Sequence, residues 1–433
     1  MAAAVPPEPP GLQLAPFRAL RFDMPRVGTP DLLTSPPYDV LDDAAVSALE
    51  SRDVHNVVRL ILPRPQGGDP ATRYGVAAQR LRQWRADGIL VRDDTPALYA
   101  YEETDLADGH VQQGLLGAVG LARPETGVIL PHENTMAGPV ADRLALAEAT
   151  GANLEPIFLV FDGQGVAAAA VSGGLPAAPL IEGEAGGCHH RVWAVTDPDV
   201  LAAVAADLLA RRAVIADGHH RYATYLRYQE ARHAEGRGPG PWDRGLALLV
   251  DASQAGPRVG AIHRVLPGLD VATAIQRARD SGLVRVTDLD PAQGQLPAVL
   301  ADAGGPGRHA FVLASGAGAA LVSAPSAESV AAALGTARSA AWRGLDVTVL
   351  HRWLLPVVLG VSDTEENVGF EHSIADALAA AQGSGGTAVL LNPTPVADVL
   401  AVAAAGERMP RKSTLFTPKP RTGLVLRVLA DDA

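Results

Sequence analysis

Hydrophobic and polar positions along the chain change period several times, and each change marks an element. Between Tyr74 and Asp87 the apolar residues recur three and four apart around Trp84, which predicts an amphipathic helix closed by Gly88. Ala97 to Glu103 and Gly114 to Ala122 are apolar runs bounded by polar turns, predicting two strands joined as a hairpin. Val57 to Pro63 (VVRLILP) also reads as a strand, and Pro16 to Phe22 and Ser35 to Leu41 as a strand entering a proline-fixed turn. A polar turn at Pro131, a helix around Ala141 to Thr150 and a strand ending at Phe161 come next, whereas Ala167 to Gly187 is rich in Ala, Gly and Pro and reads as an irregular connection. RVWAVTDPDVLAAVAADLLARR predicts strand, turn and helix, followed by a short buried strand from Arg212 to Ala216.

Helical spacing resumes at Tyr222, Tyr225, Leu226 and Gln229, so Asp217-Gly218-His219-His220-Arg221 falls on a strand-to-helix turn. RGLALLVDAS reads as a strand, with His263 and Arg264 just past another one. Residues 270 to 335 alternate helical and strand patterns, Leu345 to Gly360 is helical, and Thr387 to Pro393 is a strand. The C-terminal stretch gives a helix, a polar turn and a last strand. The sum is a mixed α/β (α+β) chain with multi-layer mixed sheets and flanking helices. The expected regions are a disordered tail over 1–15, a mixed region over 16–165, a core over 190–265, an insertion or subdomain over 266–340 and a closing region over 341–433.

Composition narrows the function classes. Hydrophobic residues make up 48% but aromatics only 4%, so packing relies on small aliphatic side chains, as in alanine-rich α/β proteins. The 48 acidic residues outnumber 36 basic ones, for a formal net charge of -12, which argues against nucleic acid as a partner. Cys188 is the single cysteine, which rules out an internal disulfide, a cysteine-based zinc finger and an iron–sulfur cluster. The N-terminus has neither a basic start nor an apolar core, so it is not read as a secretory signal; no apolar run reaches the roughly 20 residues of a membrane helix. A cytoplasmic protein without a membrane partner is expected, with its oligomeric state open.

Three polar constellations carry candidate chemistry. In the first, Asp217 could cap the helix, Gly218 could take a left-handed conformation, and His219, His220 and Arg221 would add charged donors to a helix start that already favours anions. A phosphate group fits; Asp217 could alternatively hold Mg²⁺ beside phosphate oxygens, or the motif could be a capped, solvated turn. In the second, His132, Glu133, Asn134 and Thr135 precede Arg143, with Glu133 a candidate general base and Arg143 a candidate phosphate ligand. The stretch lacks the second histidine of a zinc-protease HExxH helix; an ordinary capped helix start is the plain alternative. In the third, GERMPRKST places Lys412 and Ser413 as in a phosphate loop, but Arg411 replaces its last glycine and the order is helix to strand. Lys412 and Ser413 could still meet an anion. GSGGT at Gly383 lacks the strand and helix of a dinucleotide loop, and Cys188 has no acid partner recognisable in sequence.

SPPYDVL, NVVRLILP, HENT with its downstream DR, ANLEPIF, ADGHHRYAT, AIHRVL and GERMPRKSTLFTPK together resemble the prokaryotic family known as domain of unknown function 1015, over essentially the whole chain from Pro16. Leu415, where an aromatic is usual, and Pro420 depart from its pattern at packing positions. More distantly, DGHHR between strand and helix is similar to the phosphate-binding turn of the ParB and sulfiredoxin superfamily, which includes free serine kinases. That likeness implies a nucleotide-binding core, with His219 standing where sulfiredoxin chemistry needs a cysteine. It implies a phosphotransferase using ATP or ADP and Mg, acting on a small hydroxylated metabolite such as L-serine. Gly218, His219, His220, Arg221, Arg143, Lys412 and Ser413 would hold phosphates; His132, Glu133 and Asp217 would be catalytic, with Asp217 facing the metal. Asn134, Thr135, His263 and Arg264 would contact substrate. The alternatives are a nucleotide-binding regulator without turnover, or a metal-dependent hydrolase using His132, Glu133, Asp217 and His219.

Overall fold

The computed structural model describes residues 9–172, 175–290 and 294–432. The chain is mixed α/β and divides into two compact units, Met1–Pro257 with Pro418–Ala433, and Arg258–Thr417.

The first unit is built on a nine-stranded mixed sheet. Within it Ile157–Phe161 is entirely buried, flanked by Ala213–Asp217 running antiparallel and Arg244–Asp251 running parallel. A strand covered on both faces reads as a continuous apolar run, and IFLVF and AVIA do so. The expected hairpin is present as Leu98–Asp105 and Val111–Gly120, which join Arg244–Asp251 on one side and Cys188–Val195 on the other. Helix His219–Ala234 covers this sheet through Tyr222 and Tyr225, which enter the core with Ile157, Leu159 and Ile215. Tyr222 is pinned at its hydroxyl, which donates to the Ala122 carbonyl and accepts from the Ala122 N–H at 3.1 Å. Helix Ala137–Thr150 packs beside it, and Gly151, left-handed at φ 62, ends that helix.

Several local expectations change. VVRLILP winds into a helical turn, Val58–Ile61, because Asn56 caps it: its side-chain oxygen accepts from the Val58 N–H at 3.0 Å and its amide donates to the Leu32 carbonyl at 2.7 Å. A short apolar run broken only by Arg59 buries equally well in either conformation, so the run alone could not decide. The segment expected to be irregular contains helix Val166–Ser172 and strand Ile181–Ala185, and helix Ala137–Thr150 starts four residues before Ala141. Of the tail expected over 1–15, residues 1–8 lie outside the described residues, but Leu12 and Leu14 are buried and Leu14–Ala15 pairs with Val119 and Ala118.

The second unit carries a six-stranded antiparallel sheet in the order Arg285–Leu289, Gly318–Ser323, Ala310–Ser315, Thr387–Leu391, His263–Leu266, Gly369–Glu371. His263 and Arg264 therefore lie within a strand and not beyond it. The long helical stretch expected over Leu345 to Gly360 is real, but Leu350–Val358 is wound as a π-helix with Pro356 inside it. No helix among the described residues is long and apolar enough to cross a membrane.

Candidate functional site

Asp217 ends its strand at a break in register: Ile215 pairs with Leu159, but Asp217 pairs with Phe158, so one residue is skipped and the carboxylate is re-aimed. Gly218 then takes φ +91, and a Cβ there would stand 3.0 Å from Nε of Arg221, so the turn needs glycine for both backbone and space. The helix begins with the Tyr222 N–H donating to the Gly218 carbonyl at 2.9 Å, leaving the preceding turn outside the helix's own ladder.

Two imidazoles tie this turn to the HENT segment. Nε2 of His219 accepts from the His132 N–H at 3.3 Å, and Nε2 of His220 accepts from the Met136 N–H at 3.0 Å. The His132 and His219 rings meet edge to face at 4.7 Å. An imidazole nitrogen that accepts a backbone proton is unprotonated, so both histidines are neutral here and serve as fasteners, not as the charged donors expected from sequence. Burial pushes the pKa of half-buried His220 below the ordinary value, with Arg221 adding to the effect against Asp39 and Asp217. Glu133 is half-buried and Asn134 and Thr135 are exposed on the segment so fastened.

Arg221 is only 3% exposed and is engaged inside the protein, donating to the Pro156 carbonyl and to Oδ2 of Asp217. Lys419 donates to the other oxygen of Asp217 and stands 3.9 Å from Asp39. Burial alone would raise the Asp217 carboxyl, but Arg221 and Lys419 outweigh it and hold the group below the ordinary carboxylate value. Lys419 keeps partial exposure while its ammonium pairs with Asp217, whereas Arg221 is a structural strut.

A second layer lies beneath. Arg143 is buried, donating to the Ile61 carbonyl at 2.6 Å and to Oδ2 of Asp142 at 2.8 Å from Nε, with its guanidinium 4.3 Å above the Tyr38 ring. Glu155 sits between the arginines: it is 3.8 Å from Arg143, accepts from the Tyr38 N–H at 3.0 Å, and faces Arg221 electrostatically. Burial raises the Glu155 pKa despite both guanidiniums and lifts the Tyr38 phenol to about 12. Glu155, Tyr38, Asp39 and Lys419 were not among the expected site residues. The Glu of ANLEPIF and the Tyr-Asp of SPPYDVL sat inside motifs noticed only as family markers, whereas the Lys of FTPK read as added charge beside Lys412 and Ser413.

Lys412, Ser413, His263 and Arg264 belong to the second unit. There the Ser413 hydroxyl donates to the Pro410 carbonyl, and His263 is buried with Nδ1 accepting from the Leu391 N–H at 3.3 Å. Among the described residues, no three His, Cys, Asp or Glu side chains are grouped so as to hold a metal ion. Asp217 in particular already meets a cation at each oxygen, Arg221 at Oδ2 and Lys419 at Oδ1.

Residues 14–348 match the family described as "Protein of unknown function (DUF1015)". No curated protein matches the chain. Among solved structures, a conserved hypothetical protein from Pyrococcus furiosus overlaps 74% of this chain and 97% of its own at 14% identity and a TM-score of 0.34. A free serine kinase in complex with AMP overlaps 78% and 95% at 13% identity and 0.34. SbnI with C-terminal truncation from Staphylococcus aureus overlaps 72% and 87% at 14% and 0.34.

Proposed function

The chain belongs to the DUF1015 family, whose description assigns no activity, and from the site itself we propose a nucleotide-dependent phosphotransferase that acts on a small hydroxylated metabolite, with L-serine the first acceptor to try. The supporting observation is the fastening of HENT to DGHHR: two backbone N–H groups, of His132 and Met136, end on the imidazoles of His219 and His220. On this reading Glu133, the candidate base, works beside a helix start that favours phosphate.

Phosphoryl transfer depends mostly on positioning and on charge stabilisation, which assigns the work as follows. The Gly218–His220 turn receives the terminal phosphates of ATP or ADP. Lys419 neutralises charge on them, a charge-assisted contact of about 1.5–3 kcal/mol. Glu133 accepts the proton of the acceptor hydroxyl, and Asn134 and Thr135 orient the acceptor. Asp217, Arg221, Arg143 and Glu155 hold the geometry. The donor set does not fit a resident Mg²⁺, because the Asp217 oxygens already meet Arg221 and Lys419; no step depends on one.

The test is nucleotide consumption by the purified protein with and without a pool of amino acids. Turnover is expected only with the right acceptor, and is expected to fall at least a hundredfold in Glu133→Gln and Lys419→Ala. Unchanged turnover in both variants would sink the proposal. A nucleotide-binding regulator is the second reading, favoured by the closed ion pairs around Asp217; a thermal shift with ATP and no turnover with any acceptor would select it.

A further inference from the structure

The GERMPRKST turn lies in the second unit, outside the reading above, and it is built on an unusual base. Arg264, 1% exposed, reaches it from strand His263–Leu266: one terminal nitrogen donates to the Lys412 carbonyl at 2.9 Å, and Nε donates to Nε2 of His351 at 3.0 Å. Because that imidazole nitrogen accepts, His351 carries its proton on Nδ1, which faces Oδ2 of Asp363 at 3.0 Å. Arg264 is thus a buried cation whose contacts are carbonyls, a neutral imidazole and the face of the Phe370 ring at 5.2 Å, with no carboxylate touching it. Asp363, the nearest acid, is engaged by Arg411 at 3.1 Å as well as by His351. Glu365, the other acid near Arg411, is 93% exposed and screened by water. Burial and the like charge of Arg411 push the Arg264 guanidinium down to about 9 against the pull of Asp363.

Three cations, Arg264, Arg411 and Lys412, are gathered at this turn, and Asp363, the acid that Arg411 engages, is solvent-exposed. The backbone adds a second sign. Lys412 has φ +53, a left-handed conformation that costs a side chain with a Cβ and that glycine or asparagine would take more cheaply. A lysine in an exposed, strained position, whose carbonyl is held by a buried guanidinium that touches no carboxylate, is arranged for its charge. A solvated turn would be served as well by glycine.

We propose that the Arg408–Thr414 turn of the second unit is an anion site of its own, taking a phosphate-bearing small molecule on Lys412, with Arg264 behind the loop supplying positive potential and holding the Lys412 carbonyl inward. Arg264 is a positioning residue here, since each of its three nitrogens donates to a protein group.

Titration calorimetry of the full chain with inorganic pyrophosphate tests this, comparing the natural protein with Lys412→Gly, Lys412→Asn and Lys419→Ala. Both Lys412 variants keep a residue suited to the left-handed backbone and remove only the charge. They are expected to lose at least tenfold in affinity for one binding event while their melting temperatures stay equal or rise, and Lys419→Ala is expected to keep that event. Wild-type affinity in Lys412→Gly and Lys412→Asn would overturn the proposal. So would loss of all binding in Lys419→Ala alone. Because Lys419 and Lys412 are removed separately, failure here is distinguishable from failure of the phosphotransferase reading.

Discussion

Ionising Glu103 should cost the first unit stability between mildly acidic and neutral pH. Glu103 is 3% exposed on strand Leu98–Asp105, with its Oε2 3.0 Å from the Tyr101 hydroxyl, which in turn is 2.9 Å from Nδ1 of His190. The ring's Nε2 lies 3.0 Å from the Ala185 carbonyl, which only accepts, so the imidazole proton sits there and Nδ1 is an acceptor. The single hydroxyl proton of Tyr101 then goes to His190, and the chain is complete when protonated Glu103 donates to Tyr101. Burial pushes Glu103 up to about 7 and His190 down to about 4, which favours this neutral arrangement. The gap between about 7 and the ordinary 4.5 corresponds to roughly 3 kcal/mol. The native state binds the extra proton, so stability is highest below pH 4.5 as far as this group is concerned, falls as pH rises to about 7, and is level above. Urea unfolding at pH 5 and pH 8 measures it. Glu103→Gln retains a donor toward Tyr101 and cannot ionise, so relative to the natural protein it should gain most of that roughly 3 kcal/mol on going from pH 5 to pH 8. Parallel pH dependence in the two proteins would refute the chain of donors.

Two further substitutions probe the frame around the candidate site. Gly218→Ala forces a Cβ into φ +91 and to 3.0 Å from Arg221, and should destabilise by about 1–3 kcal/mol in thermal melts. Glu155→Ala removes the carboxylate between two buried guanidiniums; about 3–5 kcal/mol should be lost in urea titrations, and Glu155→Gln should recover part of it through the Tyr38 N–H contact.

The turn at Asp217 was legible because its flanks differ in period: a buried strand needs a continuous apolar run, a helix needs the 3.6 spacing of Tyr222 and Tyr225, and the glycine sits at the junction. The mixed α/β class followed from the same reading. What could not be read was which charges cancel. Arg221 pairs with Asp217 four residues before it, a spacing visible in sequence, but whether a guanidinium faces water or protein depends on Pro156 and Glu155, some 65 positions away. Lys419 reaches Asp217 across 202 positions, and no periodicity records such a pair. VVRLILP failed for a different reason: a short apolar run is buried whether wound or extended, and the deciding bonds of Asn56 go to Leu32 and Thr34.

Burial inverts the roles that residue types suggest. Arginine and histidine beside a helix start look like anion ligands, yet in both units the buried arginines spend their donors on carbonyls and carboxylates, and the buried imidazoles accept from backbone or guanidinium N–H groups. A buried cation satisfied in this way costs less than an unpaired one but keeps its charge, so its field is felt by whatever binds nearby. In the proposals made above, the side chains that touch a ligand are the more exposed lysines, Lys419, paired with Asp217, in the first unit and Lys412 in the second. Each lies next to a fixed guanidinium, Arg221 through Asp217 and Arg264 through the Lys412 carbonyl. A lysine held over a rigid positive base suits a ligand that arrives and leaves, because the lysine alone must reorganise while the potential stays in place.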